Sequence, residues 1–227
     1  MAAIPNPLGG SVAFPTAPPI SASQWLNTPM PLALEQLRGR VVVLHAFQML
    51  CPGCVSHGLP QAIEIQRTFD PQTITVIGLH SVFEHHDVMT PAALRVFVHE
   101  YRLTFPIAVD QPSETRSLPQ TMQAYAMQGT PTLVLIDARG RLRAQHFGAV
   151  SDLIVGAEIG RLLAEVEASA LRACPASFTA GERPTDGGAC SAVDSSRGPL
   201  AGVRHRLQAG SYIPPPKPKH LSAMGGA

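Results

Sequence analysis

The run VVVLHAF, residues 41–47, is the feature that most restricts how this chain can fold. Its residues are mostly apolar and β-branched, and they lack the polar alternation of a strand with one solvated face. Such a run predicts a strand that is buried on both faces, as in the sheet of an α/β protein. Hydrophobic residues make up 45% of the 227-residue chain, so a substantial buried core is available to cover it.

Strand and helix patterns alternate after this run. Further strands are predicted at 73–80, 105–110, 131–137 and 141–147, and the last two flank Ala-Arg-Gly as a hairpin. Helices are predicted from the cysteine region to about 69, from Thr90 as N-cap with Pro91 at the first position, at 119–127 and at 151–168. The alternation predicts an α/β fold: a mixed central sheet flanked by helices, with an antiparallel edge at the hairpin.

The two ends of the chain differ in composition from its middle. Residues 1–24 are rich in Pro, Gly, Ala and Ser without periodicity, which predicts a flexible N-terminal arm. Residues 171–227 are rich in Pro and Gly and are expected to form a disordered tail, in which PPPKPK at 214–219 favours an extended conformation. A single domain is therefore predicted over residues 25–170.

The charge balance and the N-terminal sequence argue against several classes of function. Seventeen basic and 16 acidic residues give a formal net charge of +1, so there is no basic surface typical of nucleic-acid binding. No segment approaches the roughly 20 apolar residues of a membrane span. The basic region of a secretory signal is missing, since the first charged residue is Glu35. We therefore expect a cytoplasmic protein, and in that compartment a close cysteine pair indicates catalysis or metal binding.

Two cysteines three positions apart, Cys51 and Cys54, directly follow the first buried strand. Cys51 is expected at the N-cap of the next helix, with Pro52 at the first helical position, where its missing N–H costs nothing. The amides of Gly53 and Cys54 then point toward the Cys51 sulfur, and with the helix dipole they favour the reactive thiolate. Cys54 lies one turn further on the same face. The spacing predicts that Cys51 attacks a substrate disulfide and that Cys54 resolves the mixed disulfide.

Residues 34–168 resemble the redoxin branch of the thioredoxin-like superfamily, which includes thiol–disulfide reductases and the relatives of alkyl hydroperoxide reductase and thiol-specific antioxidant. The resemblance rests on the cysteine pair after the first strand and on GTPTLVLID at 129–137, which is similar to the family segment with a cis-proline. It implies a thioredoxin-like fold and a cis peptide bond between Thr130 and Pro131. It also implies that the backbone at these two residues aligns an incoming substrate.

The same resemblance defines the expected reaction and its partners. The dithiol itself carries the electrons, so neither a bound cofactor nor a metal is expected. The partners would be a disulfide-containing protein or small-thiol substrate, and a thiol reductant or reductase that returns the electrons. Pro52 and Gly53, between the two cysteines, are expected to contact the substrate together with Thr130 and Pro131.

Some positions depart from the thioredoxin pattern. Leu50 stands where thioredoxins commonly have Trp, and the dipeptide between the cysteines is Pro-Gly rather than Gly-Pro, whereas Pro60 resembles the kinking proline of the family. Six residues before the first cysteine, thioredoxins have a buried Asp that helps to move protons, and this chain has His45. Counting back from the strand end places His45 beneath the cysteine pair. We expect His45 to be either a proton acceptor, since the unperturbed histidine pKa suits that task, or a hydrogen-bonded core residue.

Two other functions are compatible with a close cysteine pair. A thiol-dependent peroxidase would use the first cysteine against peroxide, but the Pro and Thr of the peroxiredoxin pattern are replaced by Leu44 and Gln48. A copper or zinc metallochaperone would combine the pair with a histidine, such as His57 or one of the three in HSVFEHHD at 80–87. Copper chaperones of this fold space their cysteines one residue wider, and no second close pair completes a zinc site.

Two more cysteines, Cys174 and Cys190, lie at or beyond the end of the last predicted helix. They are either incidental thiols on the tail or a second dithiol that accepts the disulfide from the first pair.

Overall fold

The run at 41–47 forms an interior strand in the computed structural model, which describes residues 13–173. The strands are β1 (Ala22–Leu26), β2 (Val41–Phe47), β3 (Ile74–His80), β4 (Ile107–Asp110), β5 (Thr132–Ile136) and β6 (Leu142–Phe147). They form one six-stranded sheet in the order β1-β4-β3-β2-β5-β6. The strands β2, β3 and β4 run parallel, and β1, β5 and β6 each pair antiparallel. The predicted mixed sheet is confirmed, with the β5–β6 hairpin at one edge.

The helices of the described part follow the predicted order. They are α1 (Leu59–Thr68), α2 (Pro91–Glu100), α3 (Gln120–Ala124) and α4 (Asp152–Ala173), with a 3₁₀ turn at Leu34–Leu37 and a π-helical turn at Cys54–Gly58. Thr90 caps α2 as expected, because its hydroxyl accepts a hydrogen bond from the Ala93 amide at 3.2 Å. None of the helices within residues 13–173 is long and apolar enough to cross a bilayer.

Strand β2 is covered on both faces, as its sequence predicts. All seven of its residues are buried. Val41 and Val43 belong to a core with residues of α1, α2 and α4, whereas Val42 and Leu44 pack on the other side with residues of α3 and the 3₁₀ turn. The chain leaves β2 at the carboxyl edge of the parallel strands, which is where open α/β sheets place their sites.

The second half of the predicted N-terminal arm belongs to the folded domain, so the prediction of a flexible arm is wrong for residues 13–24. Strand β1 pairs with β4. Before it, the carbonyl of Pro15 accepts a hydrogen bond from the Leu142 amide at 2.9 Å, and the carbonyl of Pro18 accepts one from the Tyr125 hydroxyl at 2.7 Å. Prolines lack an N–H but keep their carbonyls, so a proline-rich segment can still be held by its acceptors.

Two sets of predictions lie outside the described residues. They are the first half of the arm, residues 1–12, and the predicted tail from residue 174 onward, which includes Cys174 and Cys190. Helix α4 itself extends to Ala173, beyond the predicted end at 168 and past the predicted domain boundary at 170.

Candidate active site

Cys51 caps the helix that follows β2, as the sequence predicts. We call residues 52–68, which are helical throughout, the cysteine helix. The Cys51 carbonyl accepts the Val55 amide at 3.1 Å, and the Cys51 Sγ accepts the Cys54 amide at 3.2 Å. The sulfur therefore occupies the place of an N-cap oxygen, where the donated N–H and the helix dipole favour negative charge. The second predicted donor, the Gly53 amide, makes no such bond among the described residues.

The cysteine helix widens into a π turn at Cys54, after its first two residues. The Leu59 amide donates to the Cys54 carbonyl, five residues back, instead of to the residue four back. Pro60 follows directly and has no N–H for the Ser56 carbonyl. Such π turns occur at functional sites, and this one begins at Cys54 and ends two residues before the predicted kinking proline.

The two cysteines differ in exposure, and burial makes the Cys54 thiol a weak acid. Both are free thiols; Cys51 is half-buried, whereas Cys54 is fully buried. Burial, followed by the hydrogen bond with Cys51, raises the pKa of the Cys54 thiol to about 12. An external disulfide can therefore reach Cys51, while Cys54 is kept protonated behind it.

The loop before β5 faces this sulfur. The Thr130–Pro131 bond is cis, which confirms the prediction. The Cys51 thiol donates to the Thr130 carbonyl, with 3.5 Å between Sγ and oxygen. A Cβ on Gly53 would lie 3.4 Å from Pro131 Cδ, so the proline ring lies against the turn between the cysteines. The structure thus brings the predicted site residues of both segments together, with Pro52 exposed beside them.

His45 lies under the cysteine helix, one turn past the pair. A Cβ on Gly58 would come within 2.5 Å of His45 Nε2 and 3.1 Å of Pro131 Cβ, so this glycine lets the helix rest on the imidazole. Burial, and then the nearby charge of His57, lower the pKa of His45 to about 4. The premise that His45 has an ordinary histidine pKa is therefore wrong for the folded protein, and the ring is neutral at pH 7.

The contact between Gly58 and His45 gives a matched pair of glycine variants. Gly58→Ala should lower the free energy of unfolding by about 1–3 kcal/mol, because the methyl group has to displace the imidazole or the helix. Gly53→Ala should change it by about 0.5 kcal/mol or less, since its Cβ makes an ordinary contact. Urea unfolding of both variants checks this. Equal effects would contradict the close packing of the helix on His45.

The histidines proposed as metal ligands are not assembled around the cysteines. His80 is buried at the end of β3, with its ring centroid 5.3 Å from that of Phe47, whereas His85 and His86 are exposed. His57 uses Nε2 to donate to a backbone carbonyl. Within residues 13–173 no group of three or more His, Cys, Asp or Glu side chains could hold a metal ion.

His80 is a buried titratable group that the sequence analysis considered only as a possible metal ligand. Both of its ring nitrogens are without a hydrogen-bond partner among the described residues, and burial lowers its pKa to about 4. One signal for this burial was available in the sequence. His80 is the last residue of the apolar run 73–80, and such a run predicts burial, whereas the neighbouring histidines lie beyond it.

Comparisons with known proteins give the family of this chain and test its predicted fold. The model of the AhpC/TSA family matches residues 16–145. The chain belongs to the AhpC/TSA family. A solved structure of a thioredoxin-like superfamily protein, SPOA0173, is 54% identical with a TM-score of 0.65, over 66% of this chain and 97% of that one. A thiol-disulfide isomerase from Corynebacterium glutamicum is 52% identical with a TM-score of 0.62, over 65% and 96%. The thioredoxin-like fold is therefore confirmed.

A curated relative is also a thiol–disulfide oxidoreductase. The thiol-disulfide oxidoreductase ResA of Halalkalibacterium halodurans is 24% identical over 124 residues, which are 55% of this chain and 63% of that protein. The chain spans less than two thirds of the length of the curated relatives it matches.

Proposed function

We propose that this protein is a thiol–disulfide oxidoreductase that reduces disulfides of proteins or small molecules with the Cys51–Cys54 pair. One observation is central to the proposal: the accessible Cys51 sulfur accepts the Cys54 amide at 3.2 Å and faces the Thr130 carbonyl at 3.5 Å. The similarity to the thiol-disulfide isomerase of Corynebacterium glutamicum and to the thiol-disulfide oxidoreductase ResA supports the same reaction class.

The proposed reaction has two exchange steps. The Cys51 thiolate attacks one sulfur of the substrate disulfide, the substrate S–S bond breaks, and the other substrate sulfur leaves as a thiolate that takes up a proton. Cys54 then loses its proton and attacks Cys51 Sγ, so that the mixed disulfide breaks and the second substrate thiol is released. The substrate gains two electrons and two protons, and the Cys51–Cys54 disulfide is reduced again by an external thiol.

The second step depends on where the Cys54 proton goes. Burial makes Cys54 a weak acid and His45 a weak base, with pKa values of about 12 and about 4. Direct transfer between them is uphill while both groups keep these surroundings, since each pKa unit corresponds to about 1.4 kcal/mol. We propose that His45 takes the proton only after a mixed disulfide has formed at Cys51. The Cys51 sulfur then no longer makes the hydrogen bond that raises the pKa of the Cys54 thiol.

The His45 proposal predicts a change in the pH dependence of a single step. His45→Gln should slow resolution of the mixed disulfide by about 10- to 100-fold near pH 7 and move its pH profile upward, because general-base assistance is lost. Attack by Cys51 should be unaffected. Rapid-quench measurement of both steps across pH checks this; superimposable profiles for wild type and variant would leave His45 as a core residue.

The reaction class is tested by turnover with insulin and a dithiol donor. We expect the protein to accelerate reduction of the insulin disulfides over the donor alone, and absence of acceleration would contradict the proposal.

A parallel measurement adds hydrogen peroxide to the reduced protein. Loss of thiols no faster than that of free cysteine would exclude the peroxidase alternative. The cytoplasmic location stays a prediction, and so does the supply of electrons by a thiol reductant or a reductase.

A further inference from the structure

The loop between β6 and α4 is hydrogen-bonded to the cysteine helix through one carbonyl group. We call residues 148–151 the linker loop. The carbonyl of Val150 accepts His57 Nε2–H at 3.0 Å and Gln61 Nε2–H at 2.9 Å. The second hydrogen of the Gln61 amide goes to Asp152 Oδ1 at 2.6 Å. Gln61 is buried, whereas His57 is half-buried, so the bonds of Gln61 are the better shielded from water.

The other end of the linker loop is bonded to the substrate-facing segment. The Gly148 amide donates to the Pro131 carbonyl at 2.8 Å. Gly148 has a φ of +82°, a conformation that favours glycine and fixes the direction of the chain there. The linker loop therefore connects the helix that bears both cysteines to the segment whose Thr130 carbonyl lies 3.5 Å from Cys51 Sγ.

We propose that His57 and Gln61 are positioning residues for disulfide exchange, because through Val150 and Gly148 they hold the Thr130–Pro131 segment in register with Cys51. This inference rests on the function proposed above. Apart from the hydrogen bond from the Cys51 thiol to the Thr130 carbonyl, the helix meets the segment where the Pro131 ring packs against Gly53 and Gly58, and such apolar packing permits sliding. Hydrogen bonds to a single carbonyl have a preferred direction and fix the position along the chain.

The spacing of the two side chains suits this role. His57 and Gln61 are four residues apart, so they project from the same face of the helix. Together they occupy both lone pairs of the Val150 carbonyl. Removing one donor should loosen the linker loop, and removing both should release it. The effects of the two substitutions are therefore expected to be non-additive.

The test separates substrate alignment from sulfur reactivity. Gln61→Met and His57→Leu keep the approximate size of each side chain but remove its donor, and His57→Gln retains a donor as the rescue variant. We expect the KM for a peptide disulfide to rise about 5- to 10-fold in Gln61→Met and His57→Leu, with kcat changed less than about twofold in Gln61→Met, which leaves His57 beside His45. His57→Gln should recover most of the loss. Glu64→Ala, an exposed position on α1, is the control.

Two further readouts keep the outcome decisive. Alkylation of Cys51 by iodoacetamide, which needs no alignment by Thr130–Pro131, should keep its wild-type rate in each variant. Hydrogen exchange at the Gly148 amide should become at least several-fold faster in Gln61→Met than in the control. Unchanged KM with unchanged exchange would overturn the inference. If the wild type itself fails to reduce disulfides, the proposed function falls, and the Gly148 exchange rate still decides whether the two side chains hold the loop.

Discussion

Cys51→Ser should abolish disulfide reduction, whereas Cys54→Ser should stop the reaction at a mixed disulfide with the substrate. The difference follows from exposure: Cys51 is accessible and accepts the Cys54 amide, while the Cys54 thiol is fully buried behind it. Serine at 51 offers no sulfur for attack, so turnover should fall at least about 1,000-fold. Serine at 54 preserves the attack and removes the group that resolves the product.

Mass spectrometry of each variant after incubation with a peptide disulfide measures this directly. Cys54→Ser should gain the mass of one substrate half, attached at Cys51, and Cys51→Ser should gain nothing at Cys54. Both variants should also be made with Cys174→Ser and Cys190→Ser, which removes the other two thiols of the chain. Adducts at Cys54 in preference to Cys51 would contradict the assigned order. A loss of turnover only in the Cys174→Ser, Cys190→Ser protein would instead support the relay through the tail.

The free energy of unfolding should fall steeply as the pH is lowered from 6.5 to 4. His45 and His80 are both buried, and burial lowers the pKa of each from 6.5 to about 4. Between these values the unfolded chain binds a proton at each histidine and the folded protein does not. Stability is therefore fully present above pH 6.5 and is lost as the pH approaches 4. Each group contributes about 1.4 kcal/mol per pH unit, so the two together give a slope of about 3 kcal/mol per pH unit.

Urea unfolding between pH 7 and pH 4.5 checks this slope. His45→Leu and His80→Leu should each reduce the slope by about half, and the double variant should be nearly independent of pH over this range. Comparing slopes rather than absolute stabilities removes the effect of the changed side-chain volume. Asp110 acts in the opposite sense, because burial raises its pKa. A wild-type slope close to that of the double variant would show that the two histidines titrate normally.

Local patterns were enough to predict the central features of the fold and of the site. The continuous apolar run of β2 predicts burial on both faces, because no alternation remains for a solvated side. Pro52 directly after Cys51 predicts the start of a helix, since proline favours the first helical position. The cis bond at Pro131 could be predicted only through the family resemblance, because a strand can also begin with a trans proline.

The features that were missed depend on contacts between distant parts of the chain. Pro15 and Pro18 are held in place by hydrogen bonds to their own backbone carbonyls. Every residue has such a carbonyl, so the composition of the segment does not predict these bonds. The lowered pKa of His45 results from complete burial beneath Gly58, not from its neighbours in the sequence. Gln61 meets a carbonyl 89 residues away. A side chain bonded to a remote backbone carbonyl leaves no pattern in a single sequence.

The most direct test of the account is a redox titration of the thiols in glutathione buffers, with alkylation and peptide mapping at each potential. We predict that Cys51 and Cys54 become protected together, as one two-electron couple that links them in a single disulfide. Independent oxidation of the two thiols, or a Cys51 that pairs with glutathione and never with Cys54, would contradict it.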